Sequence, residues 1–139
     1  GSVGTGKTFL SNCIAKELLD TGHSVIYFTS FQLFELLSIG APADKWNLHQ
    51  QYEALLDSDL LILDDLGTEM VTTFVQSALY QIINGRLLEK KSTIVSTNLM
   101  PEALAQRYSP QIASRIEGEY QLLPFVGEDI RVLKKKRGL

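Results

Sequence analysis

Apolar residues recur along this chain at two spacings, and the alternation between them predicts an α/β order. Phe9, Leu10, Cys13, Ile14 and Leu18 stand at steps of three and four, which predicts an amphipathic helix over 8–20 that stops before Gly22. Cys13 falls on that apolar stripe and is expected to be buried by packing. A short β-branched and aromatic run over 24–29 follows, with the look of an inner strand. Helical spacing returns over 31–39, closed by Gly40-Ala41-Pro42, and over 44–56, where Leu48, Tyr52, Leu55 and Leu56 share a side. The four aliphatic residues of 60–63 predict a buried strand that emerges at Asp64 and Asp65. A long helix is expected over 72–89, carrying Phe74, Val75, Ala78, Leu79, Ile82, Ile83 and Leu87, and then a strand over 92–97 ending at Asn98. Two short helices complete the pattern. One covers 101–108; the other covers 109–118, with Ser109 as N-cap, Pro110 in the first turn and Gly118 as terminator. A last strand is expected over 120–125, and 126–139 is left outside any element.

Composition narrows the class. A length of 139 residues, 45% hydrophobic and 21% charged, suits one globular domain with a real core. A single cysteine excludes an internal disulfide framework, no apolar run is long enough to span a bilayer, and no basic-then-apolar leader is seen; a cytoplasmic protein with no membrane partner is expected. The net charge of −3 argues against a surface built for broad nucleic-acid binding. Lys134, Lys135, Lys136 and Arg137 form the main basic run, which reads as a solvated tail. There is no internal repeat.

Three segments carry chemistry. Gly1-Ser2-Val3-Gly4-Thr5-Gly6-Lys7-Thr8 satisfies the G-x-x-x-x-G-K-[ST] phosphate loop at every fixed position. Glycines let the backbone curl into a nest of N–H donors around phosphates, Lys7 brings a movable ammonium, and the Thr8 hydroxyl opens a helix while ligating Mg²⁺. Nucleotide contacts are expected from Gly1, Ser2, Val3, Gly4, Thr5, Gly6, Lys7, Thr8 and the adjoining Phe9. At the strand end, Asp64 is placed to hold Mg²⁺ and Asp65 to polarise the water that attacks a γ-phosphate. The Asn98 amide can donate to the phosphate or accept from that water. Arg107 and Arg115 are each candidates for a finger that reaches a neighbouring subunit's nucleotide, or for surface ion pairs. Lys45, Trp46 and His49 make either a stacking patch for a nucleic-acid strand or a half-buried tryptophan with solvated neighbours. A phosphate loop ordinarily follows a buried strand, and Gly1 opens this sequence. An N-terminally truncated fragment, less stable than its parent, is therefore expected.

Taken together, GSVGTGKTFLSNCIAKELL, SVIYFTSFQLFELL, DLLILDDLGTE, STIVSTN and RYSPQIASRIEG resemble the AAA+ ATPases of the DnaC/DnaI helicase-loader group, with IstB-type transposition helpers as close relatives. The resemblance covers nearly the whole chain. It implies an AAA+ core over 1–139, a five-stranded parallel sheet of order 5-1-4-3-2 lacking its first strand here, ATP with Mg²⁺, and assembly as a ring or spiral. Asn98 resembles sensor 1 and Arg115 the arginine finger. The helices between Ser30 and Ser58 resemble the region where initiator-type members contact single-stranded DNA. Asp65 stands where most AAA+ proteins carry Glu, which implies slow, switch-like hydrolysis, and the resemblance implies no helical lid. The expected activity is that of a replicative helicase loader acting with helicase and single-stranded DNA. The alternatives are a transposition helper on duplex DNA and a nucleotide-dependent assembly module that does not hydrolyse.

Overall fold

The computed structural model describes residues 1–38 and 45–138, with the side chains of 45–48 left aside. Its elements are α1 (Lys7–Asp20), β1 (Val25–Thr29), α2 (Ser30–Ser38), α3 (Lys45–Asp57), β2 (Leu60–Leu66), α4 (Thr73–Leu88), β3 (Ser92–Thr97), α5 (Pro101–Arg107), α6 (Pro110–Glu119) and α7 (Ile130–Lys136). The three strands form a parallel sheet in the order β1-β2-β3. This matches the 4-3-2 portion of the expected order. The expected Gly40-Ala41-Pro42 terminator, and the side chains of Lys45, Trp46 and Leu48, lie outside the described residues.

β2 is the middle strand, and its side chains divide by the two-residue period of a strand. Leu61 and Leu63 join the main core with Leu33 and Phe34 of α2, Leu55 of α3, Leu79 and Ile82 of α4, and Leu104 and Ile112 of α5 and α6. Leu60, Ile62 and Asp64 alternate to the other face, where α1 packs across the strands. Burial on both faces explains why the strand reads as an unbroken aliphatic run.

The rotation of α1 differs from the expected one. Thr8 must face the sheet, because its hydroxyl donates to Asp64 Oδ2 at 2.9 Å. Steps of three and four from Thr8 then bring Ser11, Ile14, Ala15 and Leu18 inward; Ser11 is buried and the others half-buried. Phe9, Leu10 and Cys13 consequently face solvent, and the expected burial of Cys13 does not occur.

Three further expectations are corrected at the C-terminal end. Residues 120–125 form no strand. In the expected order such a strand needs another between itself and β3; among the described residues only Gly1 and Ser2 fill that place, their backbone nitrogens donating to Thr97 O at 3.0 Å and Phe125 O at 3.3 Å. Gly118 does not stop α6, which runs on to Glu119, because a glycine costs a helix only about 1 kcal/mol. The basic run faces solvent as expected, but it is helical rather than an unstructured tail. It belongs to α7, capped by Asp129 and docked through a hydrogen bond from Ile130 N to Gly4 O at 2.9 Å.

Candidate functional site

The phosphate loop curls through two left-handed glycines, Gly4 at φ 70° and Gly6 at φ 95°, the second being the N-cap of α1. Such φ values are open to glycine at little cost. Lys7 is folded back onto the loop, its Nζ donating to Gly1 O at 2.9 Å and Ser2 O at 2.5 Å, while Thr5 Oγ1 donates to Ser2 O at 2.8 Å. The ammonium therefore rests on neutral carbonyl acceptors, which a phosphate displaces because its negative charge adds Coulomb attraction to the hydrogen bond.

Above the loop lies a cleft of about 600 Å³, a size suited to a small ligand. Val3 through Phe9 line it on one side and Asp65 and Asn98 on another. Gly1 and Ser2 are not in its wall; they hold Lys7 by their carbonyls. The expected loop, carboxylate and amide thus converge on one cavity. So do three residues that sequence reasoning did not assign there, Ile130, Arg131 and Lys134 of α7. Their basic spacing was visible, but nothing local shows that a helix start will pair with Gly4.

Consecutive strand residues point to opposite faces, so Asp64 and Asp65 could not ordinarily serve one site. A bulge solves this. Leu63 pairs with Val95 and Leu66 with Thr97, so β2 spends one more residue than β3 between these pairs. Asp65 absorbs it with a left-handed backbone, φ 56°, steadied at its carbonyl by Ser30 Oγ at 2.8 Å and Thr68 Oγ1 at 2.9 Å. Its exposed carboxylate enters the cleft, while Asp64 stays buried behind Thr8.

Asp64 is ringed by hydroxyls: Thr8 and Tyr27 donate to Oδ2, and Ser96 donates to Oδ1. Burial pushes its pKa up, but the bonds from Ser96, Tyr27 and Thr8 prevail and hold it below the usual carboxylate value. A hydroxyl beside an ionised carboxylate is a hard-oxygen donor set, which fits Mg²⁺.

The two arginine candidates separate. Arg107 is engaged inside the protein: its Nη2 donates to Glu69 O and its guanidinium lies 5.9 Å from the Tyr108 ring centroid. Arg115 is exposed on α6, outside the cleft wall, with no ion pair among the described residues. Glu69, also unassigned from sequence, is buried and accepts from Ser30 Oγ at 2.7 Å, Gly67 N at 3.1 Å and Tyr108 OH. It ties the loop after Asp65 to the start of α2 and the α5–α6 corner. Of the Lys45, Trp46 and His49 cluster only His49 has a described side chain; it faces solvent and pairs with Glu53 at 3.1 Å.

Gly4 is the contact point between loop and α7. A Cβ there would stand 2.0 Å from Asp129 Oδ1, on a backbone that alanine disfavours by roughly 1–3 kcal/mol. Gly4→Ala is expected to undock α7, so that limited trypsin digestion cuts the 131–137 segment faster than in the parent protein while the α4–β3 core stays protected.

Comparisons with known proteins bear on this geometry. The family model described as IstB-like ATP binding protein matches residues 1–116. The uncharacterized protein YdaV of Escherichia coli K12 is 32% identical over 117 residues, 84% of this chain and 46% of that protein. The replicative helicase loader DnaC of the same strain is 26% identical over 116 residues, 84% of this chain and 47% of its own length. This chain thus spans about half the length of the curated relatives it matches. Among solved structures, the replication initiator DnaA bound to AMPPCP and single-stranded DNA superposes with a TM-score of 0.82 at 26% identity, covering 100% of this chain and 44% of that one.

Proposed function

Because this chain belongs to the family of IstB-like ATP binding proteins, in the company of the DnaC/DnaI helicase loaders, we propose that residues 1–139 are the AAA+ ATPase core of a helicase loader. The observation that carries this reading is the Thr8–Asp64 hydrogen bond of 2.9 Å, which joins the phosphate loop to the carboxylate strand across 56 residues of sequence. Lys7 leaves the carbonyls of Gly1 and Ser2 for the terminal phosphates, and the loop N–H groups cradle them. Thr8 and Asp64 hold Mg²⁺, which supplies neutralisation of phosphate charge. Asp65, held at the cleft by its bulge, accepts a hydrogen bond from the attacking water and orients it. Asn98, at the end of β3, steadies the γ-phosphate or that water. Arg131 and Lys134 add positive charge on the α7 side. Arg115 serves a neighbouring subunit in a ring or spiral.

DnaC's description as a replicative helicase loader supports a helicase as client, and DnaA's complex supports a single-stranded DNA partner. Replication relatives of this kind also support a cytoplasmic setting; among the described residues no helix is long and apolar enough to cross a membrane.

Lys7→Ala tests the site. Losing charge-assisted contacts worth about 1.5–3 kcal/mol should weaken Mg²⁺-ATP binding about ten- to hundredfold, read by titration with a fluorescent ATP analogue. Undiminished affinity would contradict the assignment. The IstB-like description favours a second reading, a transposition helper acting on duplex DNA. ADP production stimulated by duplex rather than single-stranded DNA would select it, and none with either would select a non-hydrolysing assembly module.

A further inference from the structure

Asp64 has about four lone-pair positions for hydrogen bonds. Oδ2 accepts from Thr8 Oγ1 and Tyr27 OH, so both of its positions are taken. Oδ1 accepts from Ser96 Oγ, and the Asp65 backbone N–H, which donates to Ser96 Oγ at 3.1 Å, also favours the charged carboxylate. The carboxylate is therefore nearly saturated without any metal. Mg²⁺ keeps several of its waters when proteins bind it, and those waters need acceptors of their own. One position remains open on Oδ1, so where more than one metal-bound water needs an acceptor here, one of the three hydroxyls has to yield. Ser96 is 6% exposed and gripped from two sides by Asp65 N and Asp64, and Thr8 is fixed in the first turn of α1 with its oxygen beside the carboxylate. Tyr27 differs from both. It stands on β1, at the edge of the described sheet, with 37% of its surface in solvent and Asp64 as its side chain's hydrogen-bond partner.

We propose that Tyr27 is a positioning residue for the metal step, its hydroxyl keeping the place on Asp64 that a metal-bound water takes, and swinging away when Mg²⁺-ATP enters; the proposal rests on the nucleotide-site reading above. Without nucleotide, Tyr27 holds Asp64 aligned toward Thr8 and shields its charge. Burial, the bond to Asp64 and the nearby Asp64 and Asp65 charges all push the phenol pKa upward, so the hydroxyl keeps the proton that it donates to the acceptor-only carboxylate. Its departure trades one hydrogen bond for another, so Tyr27 sets the magnesium concentration at which ATP binding tightens and leaves metal-free ATP binding alone.

The test compares the parent protein with Tyr27→Phe, which keeps the ring and removes only the donor. ATP affinity is titrated with and without Mg²⁺, and near-ultraviolet tyrosine difference spectra are recorded as Mg²⁺ is added to the ATP-bound protein. In the variant, half-maximal tightening is expected at about three- to tenfold lower Mg²⁺, the scale of one hydrogen bond that no longer has to be broken. Metal-free ATP affinity should match the parent's, which also reports that the variant is folded. The parent should show a Mg²⁺-dependent tyrosine signal that the variant lacks. An unchanged or raised Mg²⁺ midpoint, or a tyrosine signal that persists in the variant, would overturn the proposal while the nucleotide site stands. Failure of the parent itself to bind Mg²⁺-ATP would overturn both.

Discussion

Arg115→Ala is expected to lower ATP turnover by about a thousandfold, the lower end of what an arginine finger contributes, while changing ATP affinity little. The two effects separate because Arg115 lies outside the cleft wall, so its own subunit's nucleotide does not depend on it. α6 packs through Ile112, Ala113 and Ile116, which leaves Arg115 on the solvent side, and it makes no ion pair among the described residues that would hold it there. Arg107 offers no substitute, since Glu69 and Tyr108 keep it inside. The decisive measurement mixes Arg115→Ala subunits with Asp65→Ala subunits, each inactive alone. In a head-to-tail assembly, random mixing in equal parts pairs an intact Asp65 site with an intact neighbouring Arg115 at about a quarter of interfaces, and turnover should recover toward that fraction. No recovery would show that Arg115 does not act across an interface.

That experiment could be designed from sequence, where the resemblance already points to Arg115; what the sequence could not show is the physical reason Arg107 drops out, its engagement by Glu69 and Tyr108. Legibility followed the range of the interactions. The phosphate loop, the three strands and the capping of α6 by Ser109 and Pro110 depend on residues a few places apart, and they stand where the spacing puts them. The rotation of α1 depends on Thr8 meeting Asp64, 56 residues away, and the apolar stripe of Phe9, Leu10 and Cys13 pointed to the wrong face. The bulge that brings Asp65 into the cleft leaves no periodic trace, because one added residue is invisible until β3 sets the register. Likewise, 120–125 has a strand's composition and no ladder to join, while 130–136 has a tail's composition and a partner in Gly4. Glu69 and Tyr27 passed unnoticed because buried acceptors and displaceable donors have no spacing of their own.

Arg86 is the clearest case of a correct period hiding the chemistry. It continues the series Val75, Ala78, Leu79, Ile82 and Ile83 on the buried face of α4, yet it is a cation, 0% exposed. Its guanidinium donates to Leu55 O at 2.5 Å, Ser58 Oγ at 3.0 Å, Ser58 O at 2.9 Å, Ser92 O at 2.6 Å and Thr93 Oγ1 at 2.8 Å. Burial pushes its pKa down, and the nearby Tyr120 and Asp59 push it back up. Leu55 lies in the last turn of α3, where carbonyls lack helical partners, so Arg86 closes that helix end onto the starts of β2 and β3. Arg86→Met should fill most of the volume and leave these acceptors unpaired. At about 1–3 kcal/mol for each buried group left without a partner, offset by the desolvation the charge no longer suffers, a net loss of about 3–5 kcal/mol is expected in urea unfolding. A loss of that size is a large share of a domain's usual stability. Arg86→Lys should recover only part of it, because three donors on a point charge cannot span acceptors on three elements. These contacts lie at the edge of the sheet opposite Asp65 and Asn98. Molecules of Arg86→Lys that remain folded should therefore bind ATP as the parent does, and a lowered affinity in that folded fraction would show that the far edge of the sheet also shapes the cleft.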